Sequence, residues 1–206
     1  MADTPKQIFI KGIWQDNPVF RQVLGICSSL AVTNLLANTL FMAFGVIFVT
    51  ALSNLTVSAL RNLIPARIRM IVQVLIIASY VMIVDIVIKA VNPDIHRFIG
   101  PYVGLIITNC IIMGRAEAFA SQNTPWLSFL DGLAMGIGYS LVLIVIALIR
   151  EPLGFGTLLG ADLPGKEIWW HQWTIMVMAP GAFFMLAIIT WISRKLQIKT
   201  EKAESR

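Results

Sequence analysis

Charged side chains are scarce in this chain. Asp, Glu, Lys and Arg make up 13% of its 206 residues, against about 25% in a soluble domain. Hydrophobic residues make up 57%, and the mean hydropathy is +0.79. That composition excludes an ordinary soluble globular domain. Cysteine is rarer still: Cys27 and Cys110 are the only two, which excludes a disulfide-stapled secreted framework. The two histidines, His96 and His171, fall in expected outer loops with no ligand cluster around either. There is no phosphate-binding loop, no Gly-rich dinucleotide fingerprint, no nucleophile triad and no complete metal site, so a self-sufficient enzyme is not expected. The net charge of +5 is spread over loops and the C-terminal stretch and does not form a nucleic-acid surface. The first apolar run contains Arg21 and lacks a small-residue cleavage site, so it does not read as a cleaved signal peptide.

What the chain does have is apolar segments. Six can be drawn, roughly 18–33, 36–60, 69–90, 101–114, 127–149 and 173–193. The second, third, fifth and sixth are long enough to cross a hydrocarbon core of about 30 Å. The first and fourth are short. The order short, long, long occurs twice, which divides the chain at about 1–92 and 93–206. Three crossings per half is an odd number, so the halves must be inverted relative to one another. MAFG at 42–45 and MGIG at 135–138 echo each other in the middle segments. The expected architecture is an all-α integral membrane protein forming a single membrane domain. It has six transmembrane helices arranged as two inverted three-helix repeats, with the first and fourth helices short.

Basic residues give the orientation. With six crossings one side holds twelve: Lys6, Lys11, Arg21, Arg61, Arg67, Arg69, Arg115, Arg194, Lys195, Lys199, Lys202 and Arg206. The other side holds four: Lys89, Arg97, Arg150 and Lys166. The richer side faces the cytoplasm, which places both termini there. Trp14, Trp126, Trp169, Trp170, Trp173 and Trp191 flank segment ends, as interfacial tryptophans do.

Each cysteine lies in a short segment, nine residues after a proline: Pro18 before Cys27, and Pro101 before Cys110. Proline favours the first position of a helix, and nine residues rise about 13.5 Å, close to half the core. Two helices entering from opposite faces would bring the thiols together near the midplane. Two thiolates are half of a four-cysteine iron–sulfur ligand set. Cysteine also serves as a small buried apolar residue, and a disulfide is a third possibility. Thr108, Asn109, Ser28 and Ser29 adjoin the cysteines and could donate to sulfur or join helices to one another.

The remaining polar residues have plain structural readings. Asp85 is an intramembrane carboxylate, a candidate cation or proton site, but Lys89 one turn on offers it a partner. Asp131 opens the fifth segment, where a helix N-terminus favours negative charge. Arg115 and Glu117 anchor the exit of the fourth helix or face a soluble partner domain. Arg150 and Glu151 end the fifth segment at the outer interface.

Four stretches carry a family resemblance: GICSSLAVT at 25–33, ALSNLTVSALRNLIP at 51–65, GLIITNCIIMGRAEAFA at 104–120 and LDGLAMGIGY at 130–139. Over about residues 12–195 the chain resembles the D-subunit family of the Na+-translocating NADH:quinone reductase. The E subunit of the Rnf ferredoxin:NAD+ oxidoreductase complex shares the framework. SSLAVT, GLIITNC and IRMIVQ are closer to the quinone-reductase branch. The resemblance implies a multi-pass subunit of a redox-driven Na+ pump in the bacterial inner membrane. It implies pairing with a homologous, oppositely oriented E-type membrane subunit, alongside flavin-bearing and other subunits and membrane lipid. It further implies that Cys27 and Cys110 supply half of an intramembrane iron–sulfur cluster, of 2Fe–2S type, that relays electrons across the membrane. The SGAT-type threonine motif that carries covalent flavin in other subunits is absent, so no flavin is expected on this chain. Two other classes compete: an inverted-repeat ion transporter with incidental cysteines, and a passive scaffold subunit. The loop at 151–172 carries no family signal.

The basic asymmetry makes one prediction directly. Topology reporters fused after Gly12 and after Lys199 should both read cytoplasmic. A periplasmic reading at either end would break the inverted-repeat argument.

Overall fold

The computed structural model describes residues 24–65, 67–91, 93–158, 161–162 and 178–204. Their order is α1 (Ile26–Val32), α2 (Leu36–Leu60), α3 (Arg69–Val91), α4 (Pro93–Ile107), α5 (Cys110–Arg115), a π-helical turn (Ala116–Ala120), α6 (Pro125–Phe155), a two-residue antiparallel pair β1 (Thr157–Leu158) and β2 (Ala161–Asp162), and α7 (Ala179–Glu204). Among the described residues four stretches are long and apolar enough to cross a membrane: Leu36–Leu60, Arg69–Ala90, Gly100–Ala120 and Pro125–Gly154. The first and sixth expected segments fall partly outside the described residues, at 18–23 and 173–177.

The fourth segment is not the short helix expected from its proline. Helix α4 already begins at Pro93, so Pro101 lies inside it. The helix breaks at Thr108–Asn109, and a second helix starts at Cys110. The π-helical turn then extends the helical run to Ala120. The crossing is therefore of full length and interrupted, and Cys110 opens its second half. Proline tolerance in a membrane helix explains the misreading: neighbouring groups can re-satisfy the carbonyl that proline leaves bare.

The interior mixes an apolar core with many buried polar residues, and the outside is apolar. Ser28, Ser29, Thr33, Thr39, Thr50, Ser53, Asn54, Ser58, Gln73, Asn109, Ser128, Asp131, Ser140, Arg150 and Glu151 are buried. Met70, Ile71, Leu75, Met82, Ile83, Ile86 and Val87 of α3 are exposed, as are Phe183, Phe184, Ile188, Trp191 and Ile192 of α7. Lipid is as apolar as leucine, so hydrophobic burial does not sort these helices. Close packing and interhelical hydrogen bonds do.

Helices α2 and α6 make the most extensive contact. Their approach depends on Gly132 and Gly136, four residues apart on one face of α6. A Cβ on Gly132 would stand 2.9 Å from the Thr50 carbonyl oxygen and 3.0 Å from the Ala51 Cα. One on Gly136 would stand 3.0 Å from the Ile47 Cα. The nearest atoms are backbone, which cannot swing aside as the end of a side chain can. Around this crossing the core gathers Val46, Val49, Ile77, Ile106, Ile111, Leu143 and Ile146.

One end of the molecule collects basic groups. Arg61 Nη1 donates to the Gln122 and Asn123 carbonyls at 3.0 and 2.7 Å. Arg69 pairs with Glu117, whose other oxygen accepts from Gln73 Nε2 at 2.9 Å. Arg115 pairs with Asp131. All belong to the side counted as basic from sequence. Trp126 and Trp191 are exposed, consistent with interfacial positions, whereas Trp14, Trp169, Trp170 and Trp173 lie outside the described residues.

Replacing Gly132 with alanine should cost about 1–3 kcal/mol through forced separation of α2 and α6. It should be seen as a lower unfolding midpoint in detergent. Gly104, inside α4 with nothing within 4 Å of its Cβ position among the described residues, is the matched control, and Gly104→Ala should leave the midpoint unchanged or raise it. Equal behaviour of the two variants would refute the tight crossing.

Candidate functional site: two cysteines at the heads of two half-helices

Both cysteines sit in the first turn of a short helix. Cys27 is the second residue of α1 and Cys110 the first of α5. Gly25 precedes α1 with φ +80°, a left-handed conformation that glycine adopts without penalty. A Cβ at Gly25 would also lie 2.5 Å from Ile111 Cδ1 and 2.8 Å from Tyr139 Cε2. The chain can therefore turn into α1 hard against α5 and α6 only with glycine here. Asn109 precedes α5, and its side-chain oxygen accepts from the Ile111 N–H at 3.0 Å, satisfying one of the orphan donors of a helix start.

A chain of hydrogen bonds joins the two breaks. Asn109 Nδ2 donates to Ser28 Oγ at 3.1 Å. Ser28 Oγ meets the Tyr139 hydroxyl, and Tyr139 donates to the Gly25 carbonyl at 3.1 Å. Ser28, Asn109 and Tyr139 are all fully buried. The Cys27 and Cys110 thiols face one another closely enough to interact as a pair. Both are free; Cys27 is exposed and Cys110 half-buried.

The far ends of the half-helices diverge. Arg115, at the end of α5, donates to both oxygens of Asp131, its Nε reaching Oδ2 at 3.0 Å. At the end of α1, Arg150 Nη1 donates to Thr33 Oγ1 at 2.8 Å and to the Leu30 carbonyl at 3.3 Å. Asp131 and Arg150 lie on the same helix, nineteen residues apart, or about 28 Å. The half-helices therefore run in opposite directions, with the cysteines at their shared head. Tyr139 lies at the middle of the Pro125–Gly154 stretch, which puts the cysteine pair half-way along α6.

Several sequence expectations change here. Ser28 and Asn109 bond to each other, and Ser29 Oγ donates to the Ile26 carbonyl at 2.8 Å; these side chains hold helices rather than sulfur. Asp85 pairs with His96 Nε2 at 3.0 Å, and not with Lys89, because α4 turns back against α3 and brings its first turns alongside. His96 accordingly belongs to α4 rather than to a loop. Buried Asp131 and half-buried Arg115 form an ion pair instead of serving a helix terminus and a membrane exit separately. Arg150 and Glu151, expected at the outer interface, are 2% and 1% exposed. Gly25 and Tyr139 were not singled out from sequence. A glycine two residues before the cysteine, and a lone tyrosine inside an apolar run, were the available signals. Among the described residues no group of three or more His, Cys, Asp or Glu could hold a metal, so these two thiols do not complete a four-ligand site within that part of the chain.

A family model described as "Rnf-Nqr subunit, membrane protein" matches residues 5–190. The chain belongs to the Rnf-Nqr membrane-subunit family. It is 48% identical to the D subunit of the Na(+)-translocating NADH-quinone reductase of Photobacterium profundum, covering 94% of this chain and 95% of the relative. It is 45% identical to the D subunit from Pseudoalteromonas atlantica over the full length of both. It is also 45% identical to that from Pasteurella multocida, covering 96% and 97%. These names bear out the likeness to the quinone-reductase D subunits, and family and apolar helices together make this a multi-pass membrane protein.

Tyr139→Phe keeps the ring but removes the closer of two side-chain donors to the Gly25 carbonyl. The other, Ser28 Oγ at 3.3 Å, loses its own contact with the Tyr139 hydroxyl at the same time. Loss of these buried hydrogen bonds should cost about 1–3 kcal/mol. Thermal unfolding of the purified protein should register the loss, and an unchanged midpoint would remove the hydrogen-bond chain from the account of this site.

Proposed function

We propose that this chain is a membrane subunit of a redox-driven Na+ pump, an NADH:quinone oxidoreductase in the bacterial inner membrane. In that complex Cys27 and Cys110 hold half of an iron–sulfur cluster. A homologous, oppositely oriented E-type subunit supplies the other two thiolates, and flavin-bearing subunits stand on either side of the relay. The relatives' names support the Na+ and quinone parts of the reading. The observation that carries the cluster is the head-to-head meeting of the two half-helices.

The donor set fits such a group. Thiolates are the usual ligands of iron–sulfur clusters, four to a cluster, and here two free thiols form a pair. The N-terminal ends of α1 and α5 both point at that pair, and their orphan N–H groups favour negative charge. Broken membrane helices in transporters aim their half-helix N-termini at anionic groups in the same way. Cys27 is exposed, which leaves one side open to a second chain. When bound, the cluster supplies one-electron transfer through an otherwise insulating layer. Cys27 and Cys110 would bind it. Asn109, Ser28 and Tyr139 fix the backbone from which the thiols project. Ile111, with no exposed surface, keeps water from the inner side.

Cys27→Ala and Cys110→Ala should each abolish the same iron EPR signal in the purified complex. Quinone reduction should fall by about a hundredfold or more, at the upper end of what loss of a metal ligand's support costs. Oxidation of NADH by an artificial acceptor at the soluble entry site should survive. Full iron content and full quinone reduction in both variants would show that the cysteines are packing residues, and would return the chain to the transporter or scaffold class.

A further inference from the structure

Two consecutive buried charges near the end of α6 grip the turn between α1 and α2. Glu151 Oε2 accepts from the Leu36 N–H at 2.8 Å, one of the first N–H groups of α2, which have no partner within the helix. Arg150 donates to the Leu30 carbonyl and the Thr33 hydroxyl at the end of α1, at 3.3 and 2.8 Å. The Thr33 hydroxyl in turn donates to the Ser29 carbonyl at 2.6 Å. Arg150 Nη2 also reaches the Met178 carbonyl at 3.1 Å, just ahead of α7. Each charge has the sign its helix end prefers, a cation at the C-terminus of α1 and an anion at the N-terminus of α2.

The arrangement is costly. Ionised groups inside a membrane protein are expensive and mark function by default. Among the described residues Glu151 Oε1 is buried without a hydrogen-bond partner, so satisfaction of its own oxygens there does not explain Glu151. Its paired oxygen holds the turn between α1 and α2, and its neighbour Arg150 ties the same turn to the backbone ahead of α7. That turn anchors α1, whose seven residues make a rod of about 10 Å with Cys27 at the other end. A short rod transmits any shift or tilt at its anchored end to its head.

We propose that Arg150 and Glu151 are positioning residues for Cys27. They clamp the distal end of α1 and so set where its thiol stands relative to Cys110. The proposal rests on the reading of these two cysteines as ligands, but the clamp can be tested without iron.

Arg150→Gln, Arg150→Lys and Glu151→Gln should be made in the full chain and in the assembled complex. In the full chain in membranes, copper phenanthroline oxidises the facing thiols to a disulfide, and mass spectrometry of alkylated peptides follows its rate per folded molecule. Arg150→Gln should slow coupling by about tenfold, the lower end of the effect of losing a ligand-orienting group, and Glu151→Gln by less. Arg150→Lys, which keeps a charge and donors, should recover most of the rate. In the complex, Arg150→Gln should change the line shape of the iron EPR signal while Arg150→Lys preserves it. A purely architectural role would lower the amount of protein and leave both readouts unchanged in the molecules that remain.

Wild-type coupling rates and line shape in Arg150→Gln would overturn the proposal, as would failure of the wild-type thiols to couple at all. If Arg150→Gln does not accumulate, Glu151→Gln decides by the same readouts. Coupling that responds to the clamp in a complex containing no iron would instead overturn the cluster and leave the clamp standing.

Discussion

A helix broken inside hydrocarbon exposes N–H and C=O groups that no water will satisfy, and each must find a partner within the protein. That requirement governs the centre of this molecule. The break before α5 is capped by Asn109, whose amide nitrogen is then committed to Ser28. The start of α1 is held through its Gly25 carbonyl by Tyr139, and the turn after it by Arg150 and Glu151. Ser28, Asn109, Tyr139, Arg150 and Glu151 thus follow the irregular backbone. With apolar residues in their places, the half-helices would have no reason to stop where the cysteines begin.

Helix α6 holds the two half-helices at three levels. Asp131 holds the end of α5, Tyr139 holds the head of α1, and Arg150 holds its tail. The same helix offers Gly132 and Gly136 to α2. Its apolar sequence therefore hides two functions, a packing face built on missing side chains and a row of polar fixtures. The packing face brings α2 close enough for Glu151 to reach Leu36 N, so the second depends on the first.

The sequence made the long apolar crossings legible, because twenty or more apolar residues can do little else. Cys27 and Cys110 stood out as well, being alone of their kind. Their meeting does not come about through Pro101 as a helix start. The nine-residue intervals treated Pro18 and Pro101 as helix starts, yet Pro101 lies inside α4, and Pro18 is outside the described residues. What brings the thiols together is the interruption at Thr108–Asn109 and the left-handed Gly25, neither visible in hydropathy. Asn109 immediately before a helical cysteine was a capping signal that hydropathy concealed. The charge pairs were misassigned for a related reason. Asp85 with Lys89 follows from spacing along one helix and Arg150 at an interface from its place at a segment end, whereas the partners found, His96 and Thr33, come from other helices or their caps.

The large apolar side chains exposed on α3 run from Met70 to Val87, seventeen residues or about 26 Å of helix. Asp131 and Arg150, on a different helix and facing inward, span a similar interval of nineteen residues, about 28 Å. One ruler is written in apolar contacts with lipid and the other in polar contacts within the protein. Their agreement specifies the bilayer. A membrane with a hydrocarbon layer of about 30 Å fits with little tilt, and a markedly thicker or thinner one would exact a cost for every ångström of mismatch. The outer ruler could tilt to meet that cost. The inner one, pinned at both ends and at Tyr139, would pass the strain to the half-helices and the thiols they carry.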